Sequence, residues 1–164
     1  MSMKVNGYAA RSAKSSLSPY NFERRDSRPD DVVIKILYCG VCHSDLHVAR
    51  NDWGFTNYPV VPGHEIIGRV ESVGKDVKRF KPGDHVGVGC MVDSCRECSS
   101  CEHGLEQYCE NGATYTYGSV DRHDHMPTYG GYSEKIVASD RFVLKLPDGL
   151  DLKGAAPLLC AGIT

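Results

Sequence analysis

Four cysteines in one short stretch constrain this chain more than any other feature. Cys95, Cys98, Cys101 and Cys109 form a C-x2-C-x2-C-x7-C array. The two-residue gaps let neighbouring thiolates converge, and the seven-residue gap lets the backbone wrap round to deliver the fourth. Four sulfurs at about 2.3 Å from a zinc ion make a closed tetrahedral site with no position for a substrate. The array therefore predicts a structural zinc lobe over residues 93–111, and any catalysis must lie elsewhere.

Disulfides and an iron–sulfur cluster are the alternatives for this array. The start of the chain lacks the apolar core of a signal peptide, which favours a reducing compartment and metal ligands over cystines. A bacterial-ferredoxin cluster would need a C-x2-C-x2-C-x3-C-P run, and no proline follows Cys109. We therefore expect zinc, and a cytoplasmic protein.

The composition excludes several classes of function. The chain has 164 residues, 41% of them hydrophobic, and a formal net charge of −2. There is no basic surplus to indicate a nucleic-acid partner and no apolar run long enough to span a membrane. The length suits one domain, which we take as residues 1–164, with a real hydrophobic core.

The secondary-structure pattern predicts a mainly β fold with short helices. Short β-branched or alternating runs are separated by Gly, Pro and Asp, which is typical of a barrel or sandwich core. Helices are expected at 44–50, capped by Ser44 or Asp45, and near 101–108, whereas 114–131 reads as a loop. The predicted strands are 32–38, 66–73, 85–88, 132–137 and 142–146.

The last residues, 152–164, look like the opening of a helix that stops in an apolar stretch without a cap. Natural chains rarely end in this way. We therefore expect a truncated chain, without assigning the cut to nature or to preparation.

A second candidate metal site is spread over three segments. Cys42, His64 and Cys160 supply two thiolates and one imidazole, a known ligand set for catalytic zinc that leaves a fourth position exchangeable. Each residue alone has a plainer interpretation. Cys39 and Cys42 could form a redox pair, His64 and Glu65 a surface pair, and Cys160 a buried thiol. Together they favour a formally neutral zinc site at which a bound alcohol can lose its proton near neutral pH.

Several motifs, in order along the chain, resemble the zinc-dependent medium-chain alcohol dehydrogenases. The resemblance covers essentially the whole chain and is fair to the cinnamyl alcohol dehydrogenase branch. It implies a GroES-like partly open β-barrel with an inserted structural zinc lobe. Besides the four-cysteine array, the motifs are Gly40–His47, Val61–Gly68, Val86–Cys90, Gly130–Ser133 and Pro157–Thr164.

The resemblance also implies the roles of the metal ligands and their neighbours. Cys42, His64 and Cys160 match the catalytic zinc ligands. Glu65 matches the carboxylate that can approach the metal, and Asp45 matches the carboxylate that hydrogen-bonds the ligand histidine and fixes its tautomer.

Four further residues match positions around the reacting oxygen and the cofactor. Ser44 would hydrogen-bond the reacting oxygen, and His47 would form the outer end of a proton relay to solvent. His43 would lie near the cofactor pyrophosphate. Trp53 is assigned to a pocket wall on weaker grounds.

The Rossmann fingerprint G-x-G-x-x-G is absent, since the nearest run, 87–92, ends in valine. The nucleotide-binding domain is therefore expected to be missing, and the fragment alone should be inactive. In the full-length enzyme the resemblance implies two Zn2+ per chain, NADP, a small alcohol or aldehyde substrate and a homodimer.

We predict the zinc-binding catalytic domain of an NAD(P)-dependent alcohol dehydrogenase, acting on primary alcohols and aldehydes, aromatic ones included. A stand-alone zinc-binding β-domain with an interaction or storage role is the alternative, and a sorbitol- or threonine-type dehydrogenase is the alternative within the enzyme class. Cys39 and Cys90 are expected to be small core residues. No role is assigned to His85, His103, His123 and His125.

Overall fold

The computed structural model describes residues 3–164, so residues 1 and 2 of the predicted domain range lie outside the described part. The strands are β1 Met3–Ala9, β2 Ser18–Arg24, β3 Asp31–Cys39, β4 Ile66–Val73, β5 His85–Val88, β6 Met91–Asp93, β7 Thr114–Tyr115, β8 Lys135–Ser139 and β9 Leu144–Lys145. The α-helices are α1 His43–Arg50, α2 Ser99–Glu102 and α3 Leu152–Ala155, with 3-10 turns at Glu106–Tyr108, Asp140–Phe142 and Ala156–Leu159.

A five-stranded antiparallel sheet forms the centre of the fold. Its order is β8-β3-β4-β5-β9, and two separate hairpins, β1-β2 and β6-β7, lie outside it. Within residues 3–164 the edge strands β8 and β9 do not pair with each other, so the sheet does not close into a ring. The prediction of a mainly β fold with short helices is confirmed.

The hydrophobic core explains why β4 is fixed so firmly. Ile34, Ile66, Val86 and Ile136 come from four different strands of the sheet and are at most 1% exposed. Each such side chain stabilises the fold by about 1.5–3 kcal/mol relative to exposure. Because Ile66 begins β4, this core also fixes the position of the two candidate site residues that precede it.

Gly68 lets β3 and β4 approach closely. A Cβ atom there would lie 2.3 Å from Ile34 Cγ2 and 2.6 Å from the Lys35 carbonyl oxygen. The β3-β4 register also shifts at two points, which bends the strands. Gly68 is therefore the point at which the backbones of two strands come close together.

The hairpin of β1 and β2 is a feature that the sequence analysis did not identify. Alternate residues of the hairpin point inward, and Val5, Ala9 and Phe22 pack against Val61. Asn6, Gly7 and Pro19 have low strand propensity, so strand pairing rather than local preference forms this hairpin. The hairpin thus packs against the segment that leads to His64.

Both helix predictions need correction at their ends. Helix α1 begins at His43 with Cys42 as its N-cap, so Ser44 and Asp45 lie inside the helix rather than capping it. The predicted helix near 101–108 is divided into α2 and a 3-10 turn, because Gly104 adopts a left-handed φ of +71° between them.

Three other predictions differ in their bounds. The strand expected at 132–137 is β8 at 135–139, because residues 130–132 hydrogen-bond to 61–63 instead. The strand expected at 142–146 shortens to β9, and the predicted loop 114–131 begins with β7. Within residues 3–164 no helix has the length and apolarity that a membrane span requires.

Candidate metal centres and the adjoining cavity

The four-cysteine lobe brings its sulfur atoms together. The Sγ atoms of Cys95, Cys98, Cys101 and Cys109 all lie within 4.8 Å of one another, and Cys95 and Cys101 are 3.9 Å apart. Tetrahedral coordination at 2.3 Å gives sulfur–sulfur edges of about 3.8 Å. The lobe therefore has dimensions that fit a zinc ion. Within residues 3–164 none of the eight cysteines forms a disulfide.

Backbone amides of the lobe point at the sulfurs. The Cys95 amide donates to the Cys109 sulfur, and the Cys98 amide donates to the Cys95 sulfur. The Glu110 amide donates to the Cys98 sulfur, and each of the three distances is 3.4 Å. Hydrogen bonds of this kind favour the thiolate form. The Glu97 amide makes the largest such contribution at Cys95 and lowers the pKa of that thiol to about 6. Cys95 is thus ready to bind a cation at neutral pH. The Ser94 hydroxyl lowers the pKa of Cys101, but burial and the thiols of Cys98 and Cys109 outweigh it and raise that pKa to about 11, so Cys101 must lose a proton when a metal binds.

Arg96 ties the lobe to the body of the domain. It donates to Asp93 Oδ1 at 2.9 Å and to Asp30 Oδ2 at 2.5 Å. Asp93 is 4% exposed, and its second oxygen lies 3.3 Å from His123 Nε2. His123, which the sequence analysis left without a role, thus contacts the same carboxylate as Arg96.

The second cluster joins three separate segments at one point. Cys42 precedes α1, His64 precedes β4, and Cys160 follows the last 3-10 turn. One ligand atom from each lies within 4.8 Å of the others, and the sulfurs of Cys42 and Cys160 are 3.7 Å apart. This sulfur separation also fits one edge of a zinc tetrahedron.

His64 presents one ring nitrogen to this point and the other to Asp45. Its Nδ1 lies 3.6 Å from Asp45 Oδ1, whereas Nε2 is buried and has no hydrogen-bond partner among the described residues. An unpaired buried nitrogen costs free energy unless something else binds it. A metal ion between Nε2 and the two sulfurs fits the donor set.

The thiol of Cys160 supports the same fit. Burial, followed by the neighbouring thiols of Cys90 and Cys42, raises the pKa of Cys160 to about 12. In the absence of a cation this thiol therefore stays protonated at neutral pH. A metal ion that binds here must release the proton, so its affinity rises with pH.

Asp45 connects the segments of two candidate ligands. Its Oδ2 accepts the Cys42 amide at 2.9 Å and the Tyr132 hydroxyl at 3.0 Å. Its Oδ1 accepts the Gly63 amide at 3.0 Å. The carboxylate is 3% exposed, so these hydrogen bonds satisfy a charge that burial would otherwise penalise.

Glu65 makes the corresponding connection to the third segment. It is completely buried, and its Oε1 accepts the Ala161 amide, next to Cys160, at 2.7 Å. Its Oε2 has no hydrogen-bond partner among the described residues. A Cβ atom at position 40 would lie 2.1 Å from this oxygen, so Gly40 leaves the space that the carboxylate occupies.

A cavity of about 340 Å³ opens beside the second cluster. This volume lies in the range of small-molecule pockets, roughly 300–1,000 Å³. Ser44 lines the cavity, and its Oγ lies 3.7 Å from the Cys42 sulfur. The aromatic residues that line it are Trp53, Phe55, Tyr115 and Tyr117.

Phe55, Tyr115 and Tyr117 were missed by the sequence analysis. Tyr115 and Tyr117 lie on either side of Thr116, and this alternation indicates a strand-like segment with both rings on one face. It was not recognised because 114–131 was predicted to be a loop. Cys90 was expected in the core, but it is exposed and lines the cavity. Cys39 is half-buried and packs against the core, as expected.

His43 and His47 lie on the exposed side of α1. The His47 Nδ1 is 2.9 Å from Asp52 Oδ2, and the rings of His43 and His47 are 5.2 Å apart. Trp53 stands 5.2 Å from His47 on the other side. The structure thus brings His47 and Trp53 together at the edge of the cavity.

Comparisons with known proteins give one consistent family. Residues 28–148 match the alcohol dehydrogenase GroES-like domain. A probable mannitol dehydrogenase of Fragaria ananassa is 55% identical over 161 residues, 98% of this chain and 44% of that protein. The NADP-dependent alcohol dehydrogenase C of Mycobacterium bovis is 56% identical over 160 residues, 98% of this chain and 46% of that protein.

A solved structure of a cinnamyl alcohol dehydrogenase from Sorghum bicolor is also similar. It has a TM-score of 0.95 and 53% identity, over 99% of this chain and 46% of that chain. This chain therefore spans less than half the length of the relatives that it matches.

Proposed function

This chain belongs to the alcohol dehydrogenase GroES-like domain family, and we propose that it forms the zinc-binding catalytic domain of an NADP-dependent dehydrogenase that interconverts primary alcohols and aldehydes. The printed functions of the relatives support the class of reaction and the cofactor. The finer assignment, to aromatic substrates of the cinnamyl type, is supported by the residues of the cavity.

One observation carries the proposal. The sulfurs of Cys42 and Cys160 and the unpaired Nε2 of His64 converge beside the cavity. Two thiolates and an imidazole suit zinc and would leave one coordination position open, and the cavity for a small molecule lies beside these donor atoms. We propose these three residues as the ligands of a catalytic zinc.

When bound there, zinc supplies a Lewis acid that polarises a carbonyl oxygen or favours the alkoxide of an alcohol. Asp45 Oδ1 lies 3.6 Å from His64 Nδ1, too far for a hydrogen bond but close enough for its charge to favour a proton on Nδ1, which leaves Nε2 to bind. Ser44 passes a proton to or from the reacting oxygen through its hydroxyl. His47 exchanges that proton with solvent, with Asp52 orienting its ring.

Glu65 takes a positional role in this proposal. Its hydrogen bond to the Ala161 amide holds the Cys160 segment at the site. Its second oxygen, unpartnered among the described residues, is the part of the carboxylate that is free to approach the metal. Both features support the role that the family resemblance implies.

The cavity walls support an aromatic or otherwise planar substrate. Trp53 and Phe55 form a stacked pair with centroids 5.8 Å apart, and Tyr115 and Tyr117 line the same space. Aromatic side chains bind planar groups by offset or edge contacts and exclude water. A substrate with a ring next to its hydroxymethyl group would use these walls.

We propose that the four-cysteine lobe holds a second, structural zinc. Its closed ligand set offers no exchangeable position, so it would stabilise residues 93–111 without taking part in the reaction. His43 is proposed to contact the pyrophosphate of NADP. The nucleotide-binding domain, the homodimer and the cytoplasmic location remain parts of this proposal.

Metal analysis tests the proposal first. Protein purified without added metal should contain up to two zinc ions per chain, and Cys42→Ser should lose one of them. A content well below one zinc per folded chain would overturn both assignments.

An assay of hydride transfer then tests the reaction. A protein that carries this chain together with a nucleotide-binding domain should oxidise cinnamyl-type alcohols with NADP, whereas residues 1–164 alone should not. A filled zinc site without any turnover of alcohols or aldehydes in the longer protein would favour a stand-alone zinc-binding domain.

A further inference from the structure

We propose that Tyr132 is a positioning residue for the three-ligand metal site, acting through Asp45 on Cys42 and His64. The inference rests on the proposed function, since it concerns how that site holds its metal. Tyr132 is not a ligand and does not line the cavity. It lies in the loop before β8, within the motif Gly130–Ser133, and the family resemblance assigns it no role of its own.

The first argument is the set of donors around Asp45. The Tyr132 hydroxyl donates to Oδ2 at 3.0 Å, and the Cys42 amide donates to the same oxygen at 2.9 Å. The other oxygen accepts the Gly63 amide at 3.0 Å and faces His64 Nδ1 at 3.6 Å. Tyr132 therefore helps fix the orientation of the carboxylate that holds both ligand segments.

The second argument is that Tyr132 remains a donor at neutral pH. Burial, followed by the charge of Asp45, raises the pKa of the phenol above its usual value. A neutral phenol next to a carboxylate donates its proton into a charge-assisted hydrogen bond. Without this donor Asp45 keeps the amides of Cys42 and Gly63 and its contact with Tyr117, and its orientation towards His64 is less restrained.

The third argument is that the backbone of Tyr132 is attached to the segment that carries His64. The Gly130 amide donates to the carbonyl of residue 61 at 2.7 Å, and the Gly131 amide donates to that of residue 63 at 2.8 Å. The Tyr132 amide donates to the carbonyl of residue 62 at 3.0 Å. A Cβ atom at position 130 would lie 2.4 Å from the carbonyl oxygen of residue 62, so only glycine permits this approach.

A buried arginine anchors the same loop from the opposite side. Arg24 donates to the carbonyls of Tyr129 and Gly130, at 2.7 and 3.0 Å, and to Ser133 Oγ at 2.9 Å. Burial, followed by the charge of Arg25, lowers the pKa of Arg24 to about 9, so the guanidinium stays protonated at neutral pH. The loop that presents Tyr132 is thus held from both sides, as a positioning element requires.

The test compares Tyr132→Phe with Tyr129→Phe, which removes a hydroxyl from the same loop without touching Asp45. Zinc release from each variant is followed with a chromophoric chelator, and the four-cysteine site of the same molecule serves as the internal reference. Changes around a ligand histidine typically cost about 10- to 100-fold in metal affinity. Because Tyr132 acts through Asp45 and does not contact a ligand histidine itself, we expect a smaller effect. Tyr132→Phe should release zinc from the three-ligand site about 3- to 10-fold faster than wild type.

A double-mutant cycle tests the route through Asp45. In an Asp45→Asn background the Tyr132→Phe change should add less than about twofold, because the carboxylate that transmits the effect is gone. A full additional effect in that background would overturn the inference. Equal acceleration at both zinc sites would also overturn it, since general loosening of the fold would then be the cause.

The result also separates this inference from the proposed function. If wild-type protein fills the three-ligand site and Tyr132→Phe releases zinc at the wild-type rate, only the inference fails. If wild-type protein holds no metal at Cys42, His64 and Cys160, the proposed function fails and the inference fails with it.

Discussion

The ring of Tyr117 lies flat against the imidazole of His64. The two centroids are 5.4 Å apart, and the planes are inclined by only 9°. Both residues are buried, with 8% of Tyr117 and 5% of His64 exposed, so the rings form an offset stack that is largely shielded from water. This contact restrains rotation of the His64 ring about its own bond to Cβ. The direction of Nε2 is therefore fixed by Tyr117 as well as by Asp45.

We predict that Tyr117→Leu weakens metal binding at the three-ligand site while the fold survives. An aromatic stack is worth about 0.5–1.5 kcal/mol beyond the area it buries, which corresponds to an affinity about two- to tenfold lower. Competition with a chelator measures the change. Tyr115→Leu is the control, since Tyr115 lines the same cavity and is 54% exposed. An equal loss in both variants would show that the stack has no special part.

Cys98→Ser should damage the fold more than Cys42→Ser. A structural zinc site contributes its binding free energy to folding, on the order of 10 kcal/mol in small zinc peptides. Because the five-stranded sheet supplies a core of its own, the loss should appear as local disorder of residues 93–111. Thermal unfolding and limited proteolysis measure it. Unchanged protease resistance of Cys98→Ser would remove the structural zinc from the lobe.

Asp121 should give the domain part of its stability against acid. Burial alone would raise the pKa of Asp121, but hydrogen bonds from Arg28 and from the His123 amide outweigh it and hold the pKa at about 2. Because the folded pKa lies below the unfolded value of about 3.9, this contribution is present above pH 4 and is lost as pH falls towards 2. The contribution is about 1–2 kcal/mol.

Denaturant unfolding of Asp121→Asn and wild type between pH 7 and pH 2 tests this expectation. The variant should be less stable at pH 7, and the difference should vanish as the pH approaches 2. Comparing the two proteins at each pH cancels the loss of metal that acid causes in both. Asp148→Asn is the control, because Asp148 is exposed. A difference that stays constant with pH would contradict the assignment.

In a protein that contains the nucleotide-binding domain, Ser44→Ala should reduce kcat several-fold more than His47→Ala. Ser44 lines the cavity next to the Cys42 sulfur, in a space that a bound substrate would fill, so water would not readily replace its hydroxyl. The His47 side chain is 39% exposed, so water or small bases can reach it and should restore part of its function at high pH. A pH profile at saturating cofactor measures both. Wild-type activity of Ser44→Ala across the profile would exclude Ser44 from proton transfer.

The sequence allowed the central strands to be predicted because their residues agree with their surroundings. β4 and β5 have the predicted bounds, 66–73 and 85–88, and β3 extends the predicted 32–38 by one residue at each end. Their β-branched residues prefer extended backbone and also fill the core. The hairpin of β1 and β2 could not be predicted in this way, since Asn6, Gly7 and Pro19 become strand residues only through pairing.

The candidate ligands could be grouped from the sequence by their chemistry, and their geometry now supports that grouping. The residues around them could not be grouped in the same way. The hydroxyl of Tyr132 reaches Asp45 across 87 positions of sequence, and nothing local to either residue indicates the contact. Tyr117 likewise meets His64 only because the loop after β7 folds back over the cavity.

The pairing of Asp93 with Thr114 across β6 and β7 has a consequence for how such domains diversify. Paired residues of antiparallel strands are about 5 Å apart, so the chain leaves and re-enters the sheet at nearly the same point. The cysteine lobe could therefore be enlarged, or replaced by a tight turn, without separating β6 from β7. Such an exchange would lose the ion pair between Arg96 and Asp30, while the segments that carry the second cluster lie outside the exchanged residues.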